Sequence, residues 1–150
     1  MRRCLLLSSL LLLAAVALYA EGWLLPLSER QQYSVAIEAR GAELTGICIV
    51  KTDAEGSRGA IVNEFGFHAL DFTLSADRRK VKLLNVMERL DRWYIRKVVR
   101  KDLRILWGAT QGGPQQGRRT IAVEEDGTVV LTNQKYKLKY SLKKFDDTPE

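Results

Sequence analysis

The sequence predicts an α+β protein in which a helical segment interrupts a series of about eight antiparallel strands. Three observations lead to this prediction. Apolar and polar residues alternate with period two on both sides of the middle of the chain. Between these two blocks, residues 91–107 (DRWYIRKVVRKDLRILW) form the only long stretch with helical apolar spacing. Short turn sequences join the alternating runs, and connections of that length favour hairpins over parallel crossovers.

The helical segment has one broad apolar face and one basic side. Asp91 and Asp102 interrupt the apolar face if the segment is a single helix. Because an aspartate can accept the free amide protons of a first helical turn, each is predicted to be a cap. The prediction is therefore one helix over residues 92–101 and a second over 103–108. The apolar face either covers an ordinary core, which is the favoured interpretation of any amphipathic helix, or closes over a lipid-sized cavity with its basic side toward anionic headgroups.

The block before the helix predicts five strands in a meander. They cover residues 32–40, 43–51, 58–65, 67–74 and 80–87. Gly66 follows the third strand, and as a glycine it can adopt a positive φ at little cost. Alternation places His68 on the same face as the apolar residues of the fourth strand, so His68 is expected to be a buried or edge histidine with a local hydrogen bond. Leu83-Leu84 breaks the alternation of the fifth strand and predicts a bulge.

The block after the helix predicts a loop at residues 108–117 and then three strands, at 118–125, 128–133 and 135–143. Asp126-Gly127 between two alternating runs is the strongest hairpin signal in the chain. The last strand is expected to carry tyrosines and leucines on one face and lysines on the other. Those lysines are Lys135, Lys137, Lys139 and Lys143. They are interpreted as a solvated face or a guarded edge rather than a site for nucleic-acid or lipid phosphates, since the tyrosines point away from them.

The first 20 residues are typical of an export signal: Arg2 and Arg3, an apolar run, then Ala20 before Glu21. An uncleaved N-terminal anchor is the alternative, because the 17-residue apolar run is near the lower limit for spanning a bilayer. The expected organisation is a signal peptide or anchor at 1–20, a linker at 21–30, a single domain at 31–145 and a tail at 146–150. The expected location is the periplasm or cell envelope.

Composition narrows the class of function. The chain has 24 basic and 18 acidic residues among 150, and without Arg2 and Arg3 the balance is 22 to 18. A surplus of +4 is too diffuse for a nucleic-acid partner, and none is expected. One histidine and two cysteines give no nucleophile motif and no metal-ligand cluster. We therefore expect no enzyme, no metal and no cofactor, with Cys48 a small buried side chain.

Four short motifs carry a resemblance to a known family. They are Glu43-Leu44-Thr45-Gly46, Asn63-Glu64-Phe65-Gly66, Asp71-Phe72 and the helix break at Lys101-Asp102-Leu103. On these motifs, within residues 43–107, the chain resembles small exported proteins of Bacteroidetes-type bacteria related to the LolA/LolB lipoprotein-carrier superfamily. The resemblance implies an incomplete antiparallel β-barrel around an apolar cavity, a helical lid between strands 5 and 6, and acyl chains as the ligand. The chain lacks the lipobox of the membrane-anchored members.

Pattern and resemblance together give the expected site and function. The cavity is expected to be lined by Leu70, Phe72, Leu74, Tyr94, Ile95, Val98, Tyr136, Leu138 and Tyr140. The expected function is a periplasmic carrier that holds lipid or lipoprotein acyl chains between a concave sheet and a helical lid. The alternative is a non-catalytic structural or interaction protein of the envelope with a filled core. An envelope protein and an anionic membrane surface are the other expected partners.

Overall fold

The computed structural model of the protein describes Leu25, residues 27–108 and residues 115–145. The predicted export signal, the start of the predicted linker, residues 109–114 of the predicted loop and the predicted tail lie outside the described residues. Within the described part of the chain, no helix has the length and apolar character that crossing a membrane requires.

The described residues form nine strands and one α-helix, with a short 3-10 helix (Glu88–Leu90) between the fifth strand and the α-helix. Before the helix come β1 (Arg30–Ala39), β2 (Ala42–Asp53), β3 (Gly56–Asn63), β4 (His68–Ser75) and β5 (Val81–Val86). The helix α1 (Trp93–Trp107) is followed by β6 (Gln115–Gln116), β7 (Arg119–Val123), β8 (Val129–Asn133) and β9 (Leu138–Lys144).

All nine strands belong to one antiparallel sheet in the order β5-β4-β3-β2-β1-β9-β8-β7-β6. The sheet is open, because β5 and β6 form its two edges. The prediction of an antiparallel sheet with a helical insertion between the fifth and sixth strands is confirmed. The predicted eight strands correspond to the eight longer ones, and β6 is a two-residue addition in the stretch predicted to be loop.

The sheet curls around α1. The helix packs against both β5 and β8, which are separated by five other strands in the sheet order. In a flat sheet these two strands would lie about 29 Å apart at the usual inter-strand spacing. The helix is about 22 Å long and, with its side chains, about 10–12 Å wide, so its contact with both strands indicates that the sheet is curved toward it. The helix therefore lies inside the concave face instead of resting above it.

The prediction of two helices is wrong, because α1 is continuous for 15 residues. Neither aspartate is an N-cap, and Asp91 instead ends the 3-10 helix as its C-cap residue. Arg92 is the N-cap residue, without a side-chain cap, and the Asp91 carboxylate instead accepts from Arg96 Nε at 2.5 Å. Asp102 lies within the helix, where its side chain points into the protein interior and leaves the backbone ladder intact.

A bulge in β4 corrects the expected position of His68. The β3–β4 register passes from Ile61↔Leu70 to Val62↔His68, so Ala69 is an extra residue. One extra residue reverses the side-chain alternation, and His68 therefore lies exposed on the convex face of the sheet. The second irregularity, where β4 pairs with β5, lies at the bulge predicted near Leu83-Leu84.

The last strand starts three residues later than predicted. β9 begins at Leu138, and the preceding residues form a turn in which Lys137 has a φ of 54°. Lys135 and Lys137 therefore do not belong to a lysine row on β9. Lys139 and Lys143 do lie on the strand, where they form ion pairs with Glu38 at 3.3 Å and Asp126 at 3.2 Å. Because β9 lies between β1 and β8, these lysines occupy a solvated face and not an edge.

Candidate functional site

The residues predicted to line a cavity are only partly brought together. Those from β4 and β9 (Leu70, Phe72, Leu74 and Tyr140) are buried in the core, as is Val98 of α1. Ile95 and Leu138 are half-buried. Tyr136 is half-buried in the β8–β9 turn, and Tyr94 is exposed to solvent in the first turn of α1. These two residues lie outside the buried core, because β9 starts later than predicted and the first turn of α1 is less covered.

The C-terminal half of α1 packs directly on the sheet. The ring of Trp107 lies 5.2 Å from the ring of Phe72 and 6.0 Å from that of Tyr33, centroid to centroid. Leu103 and Leu106 are buried in the same cluster. Gly59 makes room for Phe72, because a Cβ there would stand 2.2 Å from the phenyl ring. Side chains therefore fill this part of the concave face.

Asp102 of α1 is fully buried and connects the helix to the strands β7, β8 and β9. Arg119 Nε donates to its carboxylate at 2.5 Å, Asn133 Nδ2 lies 3.2 Å from both oxygens, and Tyr140 Oη donates at 2.8 Å. These three partners come from β7, β8 and β9, respectively. A buried carboxylate is tolerated only when it is paired and hydrogen-bonded, and this one is both.

The Asp102 cluster is suited to fixing position rather than to chemistry. Burial, followed by the negative charge of Asp102, raises the pKa of Tyr140 well above its ordinary value. The phenol therefore stays protonated and donates a hydrogen bond to the carboxylate. Both carboxylate oxygens are already occupied by donors. One signal of this role is present in the sequence, since Asp102 interrupts an apolar helix face, but the same signal is also typical of a helix cap.

The chain's single histidine is exposed on the surface, whereas the thiol of Cys48 is buried in the core. His68 Nδ1 lies 3.0 Å from Asp71 Oδ1, and the other oxygen of Asp71 accepts from Asn85 Nδ2 at 2.8 Å. The local hydrogen bond expected of His68 is thus confirmed, while its burial is not. Cys48 is buried as predicted, and burial raises the pKa of its thiol to about 12, which disfavours the nucleophilic thiolate. Among the described residues, no group of three or more potential ligands could hold a metal ion.

A surface depression of about 280 Å³ lies at the end of the sheet where the β2–β3 and β4–β5 turns meet. Its walls carry both carboxylates (Asp53, Glu55) and cations (Arg58, Lys80, Lys82). Of the residues predicted to line an acyl-chain cavity, only Leu74 reaches it. A mixed-charge, open depression does not provide the apolar enclosure that an acyl chain requires.

Four aromatic side chains are exposed at the opposite end of the sheet. They are Phe65 (76% exposed), Phe67 (69%), Trp93 (77%) and Tyr94 (52%). The phenylalanines lie in the β3–β4 turn and the other two in the first turn of α1. Met87 N donates to Ala69 O at 2.9 Å, so the chain leaving β5 toward α1 runs beside the start of β4. We call this surface, defined by these four residues, the aromatic end.

The fold and its sites define a class of protein: an open antiparallel sheet curled around one helix, with an aromatic surface at one end. No known family model matches the chain, and no curated protein matches it.

Proposed function

We propose that this protein is a non-catalytic interaction protein of the cell envelope, with a filled core, that acts through its surface. The observation that carries the proposal is the packing of Trp107 against Phe72 and Tyr33 in the concave face. An acyl chain held between the helix and the sheet would need the space these rings occupy. The location in the envelope rests on the predicted export signal.

The Asp102 cluster adds a second argument for a filled core. Its four hydrogen bonds tie α1 to the half of the sheet formed by β7, β8 and β9. Withdrawing the helix to admit a ligand would leave a charged carboxylate and Arg119 without partners in a low-dielectric interior. That cost is on the order of several kcal/mol, which opposes a lid that opens and closes.

Acyl-chain carriage remains a second, narrower proposal. It is favoured by the first two turns of α1, where Tyr94 is exposed and Ile95 only half-buried. The order of strands, helix and strands is the one that the resemblance to the LolA/LolB superfamily implies, which supports this second proposal. The helix break that contributed to the resemblance is absent, since α1 runs through Asp102. A carrier of this kind would hold lipid beneath those first turns.

A lipid-loading experiment distinguishes the two proposals. The full chain is purified from exporting cells and its bound lipids are extracted and measured by mass spectrometry, and a fluorescent fatty acid is then titrated into it. A filled core predicts no stoichiometric lipid and no saturable binding. Trp107→Ala is the positive control, because the space left by the indole should bind a small apolar probe. Stoichiometric lipid in the unaltered protein would overturn the filled-core proposal in favour of the carrier.

A further inference from the structure

The β3–β4 turn presents Phe65 and Phe67 on a fixed backbone. Asn63 Oδ1 accepts from the amides of Phe65 at 3.1 Å and Phe67 at 2.9 Å. Gly66 adopts a φ of 82°, a conformation that costs glycine little, and its amide donates to Asn63 O at 3.0 Å. Two large apolar rings are therefore held in solvent by a well-bonded turn, so their exposure is not the result of a loose loop. Ordered apolar surface that faces water indicates a binding surface.

Cations surround the aromatic end. The strand pairings place the turns β1–β2, β3–β4, β6–β7 and β8–β9 and the connection from β5 to α1 at this end of the sheet. The basic residues in these segments and in the first turn of α1 are Arg40, Arg89, Arg92, Arg96, Lys97, Arg118, Lys135 and Lys137. The acidic ones in and next to them are Glu43, Glu64, Glu88 and Asp91. Asp91 is already paired with Arg96.

The opposite end has a nearly even charge balance. The turns β2–β3, β4–β5 and β7–β8 lie there. The acidic residues in and next to these turns are Asp53, Glu55, Asp77, Glu124, Glu125 and Asp126. The basic residues are Arg78, Arg79 and Lys80 in the turns, with Arg58 and Lys82 beside them. The cationic surplus therefore lies at the same end of the sheet as the exposed rings. Such a charge distribution orients the protein in the field of a negatively charged surface.

We propose that the aromatic end docks on an anionic phospholipid surface, with Phe65, Phe67 and Trp93 entering the headgroup region and the surrounding arginines and lysines contacting lipid phosphates. The inference rests on the proposed function, a protein that works through its surface, and names the partner of that surface. Aromatic rings favour the boundary between headgroups and acyl chains. Peripheral attachment combines buried apolar area with attraction between cations and anionic lipids, and this end supplies both.

A bilayer fits this surface better than a protein partner. The four rings come from two separate segments and project from the end of the sheet, together with cations on three turns, on the connection from β5 to α1 and on the start of α1. A planar, fluid, negatively charged surface can meet all of them at once without matching their shape. Aromatic residues of membrane-associated proteins are enriched at the level of the lipid headgroups, where an apolar ring with a polar group is well accommodated. Trp93 and Tyr94 have both an apolar ring and a polar group.

The test uses the full chain with vesicles of phosphatidylcholine alone or of phosphatidylcholine with phosphatidylglycerol, each containing brominated acyl chains that quench nearby indoles. The readout is the quenching lost on Trp93→Phe, which isolates Trp93 from the other two tryptophans and from any membrane contact of the N-terminal segment. We expect Trp93 to be quenched in the anionic vesicles, weakly in the neutral ones, and less at high salt because exposed charges are screened. Equal quenching in both, or none, overturns the proposal.

Matched double variants locate the contact. Phe65→Ser with Phe67→Ser, and Arg118→Glu with Lys135→Glu, should each weaken partitioning by about tenfold or more. Lys51→Glu with Arg58→Glu makes the same charge change at neighbouring exposed positions on the convex face and should leave Trp93 quenching unchanged. If the convex-face variant alone abolishes quenching, the sheet face contacts lipid and the proposal is wrong.

The result of the vesicle experiment does not depend on whether the core is filled, which the lipid-loading experiment tests separately. A protein that carries no lipid in its interior but shows no Trp93 quenching retains its proposed function and loses only this inference, in which case a protein partner for the aromatic end becomes the explanation. A protein that carries stoichiometric lipid loses the filled-core function whatever the vesicles show. Circular dichroism of each variant verifies that it is folded.

Discussion

Asp102 and Arg119 form an ion pair inside the protein, with Arg119 Nε 2.5 Å from the carboxylate and both side chains almost inaccessible to solvent. The pair joins the middle of α1 to β7 on the far side of the sheet. Tyr140 and Asn133 donate to the same carboxylate, so one residue of the helix is bonded to three strands, β7, β8 and β9. Ion pairs of this type add little net stability compared with a well-packed apolar core, but removing one partner is costly.

Asp102→Ala should therefore destabilise the protein by about 3–5 kcal/mol, because Arg119 would be left as an unpaired buried charge. Urea unfolding followed by circular dichroism measures the loss. Asp91→Ala is the matched control: it breaks the exposed pair with Arg96 and should cost no more than about 1 kcal/mol. Equal losses from the two variants would mean that the Asp102 pair is screened by solvent.

Trp107→Ala should cost about 3–5 kcal/mol, because it removes the largest of the fully buried side chains among the described residues and leaves a cavity beside Phe72 and Tyr33. Trp93→Ala is the control on the same helix. Trp93 is exposed, and its removal should change the free energy of unfolding by less than about 0.5 kcal/mol. Thermal and urea denaturation of both variants give the comparison, and a small effect at Trp107 would contradict the filled core.

Gly59→Ala should destabilise the protein by about 1–3 kcal/mol, because its Cβ would overlap the ring of Phe72. Because of this clash, the losses of stability from substitutions at Gly59 and Phe72 should not be additive. Phe72→Leu replaces the ring by a smaller side chain, so the double variant Gly59→Ala with Phe72→Leu should be more stable than the sum of the two single losses indicates. A double-mutant cycle by urea unfolding measures this coupling, and strict additivity would show that the ring moves aside at no cost.

Stability should fall at alkaline pH because of Cys48. Burial raises the pKa of its thiol from 9.0 to about 12, so between these values the unfolded chain loses a proton that the folded protein keeps. Because the folded state then binds more protons, the free energy of unfolding decreases as pH rises, by up to about 1.4 kcal/mol per pH unit for one group. Tyr33, whose pKa is raised by burial to about 12, adds to the fall above pH 10.

Urea titrations at pH 7, 9, 10 and 11 measure this dependence. Cys48→Ala should flatten the curve between pH 9 and 10 and reduce the fall between pH 10 and 11 to the part that Tyr33 contributes. The same burial predicts that Cys48 does not react with a thiol reagent until the protein unfolds. A reactive Cys48 in the folded protein, or an unchanged pH dependence in the alanine variant, would contradict the assignment.

The sequence by itself determined the order of the elements and most of their bounds. Period-two alternation and short turns such as Asp126-Gly127 are local properties, so they place the strands, their antiparallel pairing and the helical insertion without any knowledge of the fold. The same local patterns placed the inward-facing residues of β4 correctly from Leu70 onward. His68 was misplaced because the bulge at Ala69 arises from pairing with a neighbouring strand.

Only the tertiary structure decided whether the concave face is empty or filled. Whether a helix covers a cavity or occupies it depends on the curvature of the whole sheet and on how far Trp107 reaches toward Phe72 and Tyr33. Asp102 shows the same limit. A helical aspartate caps an end or enters the core according to whether donors from distant strands meet it, and Arg119, Asn133 and Tyr140 are brought there by the sheet and not by their spacing in the sequence.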